Sequence, residues 1–334
     1  EFHGHCSVEK LVPNLRDKTN YVLHYTNLKL YFELGLKLKK IHNILEFTQS
    51  PWLKPYVELC TAKRQKATTD FEKDFWKLCV NSVFGKSMEN VRNRVNIHLV
   101  SCPKKLKKLV AKPTLVDMHD INEDLALIHL MKEKLVLSKP IYTGFCILDI
   151  SKTLMYDFHY KHIVQRYGDK ARLLFTDTDS LCYHIQTPDL YEDMRQDLDA
   201  YDTSNFEAGH FLHRNDNKKV LGKFKVETGS RAPLEFVGLR SKMYSVLVCK
   251  NEKSKKTAKG IKRGFVSKHV RHSQFLHTLQ TKANTVSNFK LFRSTNHVIK
   301  TLDIHKTCLS AYDDKRYLLE GGVNSLAYGH YLIP

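Results

Sequence analysis

Asp177-Thr178-Asp179-Ser180 forms a short polar centre between two apolar runs in residues 172–185. The flanking pattern predicts a β-hairpin with strand 172–176, a tight crossing and strand 180–185. Asp177 and Asp179 would then stand at its tip and repel each other unless positive charge sits between them. A divalent cation such as Mg²⁺ or Mn²⁺ suits carboxylate oxygens. The plainer alternative is an Asx-type turn whose aspartates only solvate the loop. Asp-Thr-Asp alone favours that alternative, and a second stretch upstream shifts the balance.

Residues 68–86 predict a helix capped by Thr68, Thr69 or Asp70, with acidic residues in its first turn and Gly85 at its exit. At about 100° per residue, Lys73, Lys77, Asn81 and Phe84 share one face. Phe71, Phe75, Leu78 and Ser82 lie opposite and are expected to supply the packing. Two ammoniums, an amide and a ring suit a triphosphate, a sugar or backbone group, and a base. A solvated lysine face would account for the lysines, but less readily for Lys77-x3-Asn81-Ser82-x-Phe84-Gly85.

That string resembles the fingers-helix motif of family B DNA polymerases, Lys-x3-Asn-Ser-x-Tyr-Gly. Phe175-Thr-Asp177-Thr-Asp179-Ser180 resembles their palm motif, Tyr-x-Asp-Thr-Asp-Ser, in the same order and at a similar separation. Lys242-Met243-Tyr244 resembles the Lys-x-Tyr element that holds the primer terminus; in a strand Lys242 and Tyr244 would share a face. The style is that of the protein-primed branch, found in viral, plasmid and organellar genomes and in Polinton or Maverick transposons. The transposon type fits the tail, Asp313-Asp-Lys-Arg-Tyr317 and Tyr328-Gly-His-Tyr331, best.

The resemblance implies that Asp179 is the principal ligand of Mg²⁺ or Mn²⁺, with Asp177 its neighbour. Lys77 would contact the incoming nucleotide's phosphates, Asn81 and Phe84 would line the nascent pair, and Lys73 and Lys66 would assist. Lys242 and Tyr244 would hold the primer. The partners implied are template–primer DNA, deoxynucleoside triphosphates and a terminal priming protein. Phe84 and Phe175 stand where the family has Tyr. The family's other palm carboxylate, in Asp-x-x-Ser-Leu-Tyr-Pro, has no counterpart in residues 1–76, nor do the exonuclease carboxylate motifs. The expected fold is therefore α+β, a right-hand polymerase reduced to fingers, most of the palm and thumb, without the N-terminal exonuclease domain and inactive in isolation. A decayed transposon product that only binds nucleic acid is the alternative. A reverse transcriptase is a weaker rival, because it would carry adjacent aspartates.

The elements that must position these residues divide the 334-residue chain into five parts. Residues 1–57 form a palm-side piece with β-like Tyr21–Tyr25 and a helix around 28–38. Residues 58–92 are the fingers, and 93–138 an insertion with a basic turn at 101–108 and a helix over 120–133. Residues 139–248 are the palm, with a helix over 146–167 under the hairpin, a polar surface excursion over 187–217, and paired strands around 221–227 and 235–248. Residues 249–334 are a basic thumb, helical over 272–284.

The balance of 54 Lys+Arg against 35 Asp+Glu, a net charge of +19, calls for a polyanionic partner. Lys259, Lys262 and Arg263, in the dense basic stretch 250–271, are expected on a duplex backbone. No apolar run approaches the ~20 residues of a membrane span, so no membrane partner is expected. Eight scattered cysteines without a Cys-x-x-Cys pair read as reduced thiols. His3-Gly-His5-Cys6 is metal-like but lacks a distant partner, and Asp313-Asp314 is expected to form surface ion pairs with Lys315 and Arg316. The chain opens on Glu1 without Met and is expected to be part of something longer. Compartment stays open, with the nucleus implied only by the transposon likeness.

Overall fold

The computed structural model describes residues 12–249, 254–295 and 297–334; the His3-His5-Cys6 cluster lies outside them. The fold is mixed α+β, with helices beside several small antiparallel sheets. Two compact units form, one from residues 12–45, 151–290 and 303–334 and one from 46–150 and 291–302. Among the described residues no helix is long and apolar enough to cross a membrane.

In the first unit, the expected β-like residues 21–24 are irregular, and His24 instead caps the helix Tyr25–Glu33 by accepting from the Thr26 amide. That helix is tied to the long helix Ile141–Asp157 and its continuation. Thr153 donates to Asn27 at 2.6 Å, Lys161 pairs with Glu33 at 2.7 Å, and Tyr31 lies 6.4 Å from Tyr156. The long helix continues through a π-helical segment, Phe158–Val164, to Gln165–Tyr167.

Strand Met243–Leu247 is central to a sheet with Glu235–Arg240 and Ser254–Ala258 on either side. The palm–thumb boundary expected at 248/249 therefore falls inside one sheet. Helix His272–Thr281 covers it, and Val237, Leu239, Met243, Phe275 and Leu309 close the core. Residues 221–227 do not join this sheet; Phe224–Lys225 pairs in parallel with Tyr201–Asp202.

The 187–217 stretch is not a bare excursion, since it holds its own core of Met194, Phe206 and Leu212. Asp202 is buried there. Burial raises its carboxyl, but hydrogen bonds from Ser204 and the Lys219 amide outweigh that and hold it below the usual range. In the tail, Asp313 accepts from the Lys315 amide at 3.0 Å and Arg316 turns to Ser325. The ion pair expected between Asp313 and Arg316 is thus replaced by an Asx turn.

In the second unit, helix Lys54–Lys66 pairs with helix Asp70–Ser87, which opens on a capping box between Thr69 and Glu72. The helix runs through Gly85 to a cap at Met88, so Gly85 is not its exit. The glycine that geometry requires is Gly144, where a Cβ would lie 2.3 Å from Met88 Cγ and 2.6 Å from Ser87 Oγ.

Residues 96–130 form a separate small module. Strands Asn96–Val100, Leu125–Leu130 and Leu115–Asn122 make an antiparallel sheet, with helix Pro103–Val110 packed on one face. Val100, Leu109, Ile128 and Leu130 are its core. The basic turn expected at 101–108 is thus a helix, and the helix expected over 120–133 is a strand pair.

Glu89, just past the end of helix Asp70–Ser87, ties it to two later segments. Its carboxylate takes Arg94 at 3.0 and 2.6 Å and Lys139 at 3.0 Å. Hydrogen bonds from Arg94 and then Lys139 outweigh desolvation and hold the group at about 2 rather than 4.5. Because the folded value lies below the unfolded one, its stabilisation is full above pH 4.5 and disappears as pH falls towards about 2. Glu89→Gln should lower the melting temperature at pH 7, with the gap to wild type closing between pH 4.5 and 2; a gap unchanged at pH 2 would assign the effect to packing.

Candidate functional site

The strands Ala171–Asp177 and Ser180–Ile185 pair as expected from the sequence, with Asp177 opposite Ser180. The loop is only Thr178-Asp179. Thr178 sits at φ 53°, where a β-branched side chain is strained, and the Asp179 amide donates to the Asp177 carbonyl at 2.6 Å. The register slips between Leu173 and Phe175, leaving Leu174 as a bulge. The bulge sets which residues share a face with Asp177, a device common beside functional sites. Directly opposed residues share a face, so Phe175, Asp177 and Cys182 look one way and Leu181 and Tyr183 the other.

The Asp177 face meets the sheet that carries Lys242 and Tyr244. Phe175 stacks on Tyr244 with centroids 4.5 Å apart and on Phe236 at 5.6 Å. Phe236 arches over Gly238, where a Cβ would stand 2.9 Å from its ring. Lys242 is not in the strand: it occupies the turn between Arg240 and Met243 at φ 57°, so it does not share a strand face with Tyr244. From that turn its ammonium lies 3.3 Å from Asp177 Oδ1. The Lys259 amide donates to the Lys242 carbonyl at 3.0 Å, which brings Lys259 alongside. Lys262 reaches the Lys290 carbonyl at 3.4 Å, and exposed Arg263 opens the next helix.

The opposite face rests on the π-helical segment, as the sequence led us to expect of this helix. His159 Nδ1 is 2.9 Å from the Tyr183 hydroxyl, and their rings stack. Burial lowers the His159 pKa, raises that of Tyr183, and pushes the Cys182 thiol up to about 11. Such a thiol is protonated and inert at neutral pH.

The expected nucleotide-binding residues lie in the other unit. Lys73 is paired with Asp70 at 3.0 Å. Lys77 and Asn81 are exposed on the same side of the helix, Phe84 is half-buried, and Lys66 is exposed near the end of the preceding helix. The packing face differs from expectation. Phe71 is 79% and Leu78 65% exposed, whereas Trp76, Val80, Val83 and Ser87 turn inward.

Phe236, Thr178 and Glu89 escaped the sequence reading; an aromatic two positions before a glycine in a strand was the available signal for the first. A buried Ser245 hydroxyl lies 2.7 Å from His272 Nδ1, with Glu235 3.6 Å from the other ring nitrogen. Ser245 is inaccessible to substrate, so this Ser-His-Glu array clamps helix to sheet and is no nucleophilic triad.

Among the described residues no group of three His, Cys, Asp or Glu is placed to hold a metal. Mg²⁺ binds through one or two carboxylates and keeps waters and substrate phosphates as its other ligands, so the donor chemistry of Asp177 and Asp179 is of the right kind, with Asp177 already beside the Lys242 ammonium. No family model, curated protein or solved structure matches the chain.

A double-mutant cycle of Phe175→Leu and Tyr244→Leu, read by urea denaturation, should give a coupling of about 0.5–1.5 kcal/mol; additive effects would mean the stack holds nothing. Thr178→Gly should not destabilise, since relief of about 1–3 kcal/mol of strain offsets the roughly 0.5–1 kcal/mol entropy cost of glycine.

Proposed function

We propose that the chain is part of a DNA-directed DNA polymerase of the family B type, in its protein-primed branch, contributing fingers, most of the palm and the thumb of a right-hand fold. The supporting observation is the junction of Asp177 with Lys242 and of Phe175 with Tyr244. The resemblance gives these two stretches, far apart in sequence, the metal and the primer respectively, and they are in contact.

On this reading Asp177 and Asp179 would hold Mg²⁺, which when bound stabilises the attacking and leaving oxygens. The primer 3′-oxygen bonds to the α-phosphorus in line, and the bond to pyrophosphate breaks. Lys77 would hold the triphosphate as a point charge, with Asn81 and Phe84 against the nascent pair. Lys242 already stands beside a carboxylate, so a primer phosphate held by it would lie next to the metal ligands. Tyr244, fixed by its stack, would bear on the same strand, and Lys259, Lys262 and Arg263 on the duplex beyond. Template–primer DNA, deoxynucleoside triphosphates and a priming protein are the partners of this proposal.

The test is primer extension with Mg²⁺. A chain extended upstream through the exonuclease and first palm motif should extend a primer, and Asp179→Ala in it should not. The 334-residue chain should bind DNA in a salt-sensitive way without extending it. A long chain that binds DNA and never extends it would sink the enzyme reading and leave nucleic-acid binding alone.

A further inference from the structure

The helix Pro103–Val110 carries Lys104, Lys105, Lys107 and Lys108, all exposed, while Leu106, Leu109 and Val110 pack into the module core. No acidic residue occurs from 101 to 116, and none of the four ammoniums has a partner among the described residues. The helix dipole favours Lys107 and Lys108, which stand in the last turn, but it does not explain the other two. Lys104 and Lys105 stand at the positive end of the helix dipole, where cations are unfavourable. Pairs 104/107, 104/108 and 105/108 are like charges at neighbouring positions, which also destabilise.

The lysines of the thumb stretch behave differently. Lys256 holds the Val270 carbonyl at 2.5 Å, Lys306 the Gly260 carbonyl at 3.4 Å, and Lys255 the Glu227 carboxylate at 3.5 Å. Those cations are partly consumed by the fold. The four on the helix are not, and they occupy a module with its own core.

We propose that this lysine face is a second docking surface, in the 96–130 module, for the phosphodiester backbone of a nucleic acid. It rests on the nucleic-acid half of the proposed function and not on the catalytic half. Lysines are point charges without the planar fork that reads a base edge, so the contact would be independent of sequence. An anionic membrane is disfavoured because an interfacial helix inserts a free apolar face, and here that face is spent on the sheet.

The experiment measures anisotropy of labelled 20-mer DNA, duplex and single-stranded, with the 334-residue chain between 50 and 200 mM salt. The variants are Lys104→Gln/Lys105→Gln/Lys107→Gln/Lys108→Gln, the same four to Arg, and Lys259→Gln/Arg263→Gln. The quadruple Gln variant should flatten the log K–log salt slope for duplex by about 3.6 and for single strands by about 2.8. Over this range wild-type duplex affinity should fall about 150-fold more than the variant's. The Arg variant should keep the wild-type slope, and thermal melting of the Gln variant should be unchanged or raised. A quadruple Gln variant with the wild-type slope overturns the inference, and so does loss of phosphatidylserine-vesicle binding with DNA binding intact. If Lys259→Gln/Arg263→Gln alone flattens the slope, this surface fails while the proposed function stands. If the quadruple variant flattens it but the extended chain never polymerises, the surface stands without the enzyme.

Discussion

Asp177 and Asp179 stand two positions apart at the tip of a tight hairpin, and the neighbouring sheet supplies opposite charge beside Asp177 at a fixed place. A partly exposed ion pair is worth at most about 1 kcal/mol, so its value here is in placing charge. The Lys242 ammonium answers Asp177 at 3.3 Å. A lysine on a flexible stem would be a poor fixture by itself, so the turn that carries it must be located by something stiffer. The rings of Phe175, Tyr244 and Phe236 do this. Gly238 leaves the space that one ring occupies.

This order of dependence explains why both faces of the hairpin are held. The bulge at Leu174 assigns Phe175 to one side, and Tyr183 meets His159 on the other. A hairpin of two strands is marginal in water, and it persists here because helix and sheet each bury one face. The strain at Thr178 is affordable for the same reason: the flanking strands over-determine the loop.

How much of this was legible in the sequence follows from where local signals were strong. The helix Asp70–Ser87 was legible from a cap at Thr68, Thr69 or Asp70 and acidic residues in its first turn, and the structure settles the cap on Thr69, reciprocated by Glu72. The Asp-Thr-Asp hairpin was read from alternation about a polar centre. Its partner was legible only as a tripeptide, because which side of a turn Lys242 occupies depends on a left-handed backbone that no residue type there advertises. The 96–130 module was misread for two reasons. Pro103 at the first helical position signals a start that the dense lysines of the expected basic turn obscured, and Leu115–Asn122 mixes charges into a strand whose outer edge faces water. The inward face of helix Asp70–Ser87 was not legible either, since Phe71 and Phe75 are larger apolar groups than the Val80 and Val83 that pack. Hydrophobicity alone does not say where the neighbouring helix lies.

The wide turn at Phe158–Val164 has a consequence for how the gene can change. Bonds of the i→i+5 type advance less per residue than the roughly 100° of an α-helix. On a regular helix the buried Met155 and Ile163 would sit about 80° apart, and the wide turn draws them towards one line. Deleting one codon here would let an ordinary α-helix re-form with nearly the same total rotation, since about six α-helical residues turn as far as seven π-helical ones, and the chain that enters strand Ala171–Asp177 would keep its phase. The exposed, irregular residues 36–51 have no such phase to lose. Insertions and deletions should therefore accumulate in that loop, whereas the π-helical turn can lose one residue but not two, because a second loss would swing the strand entry by about 100°.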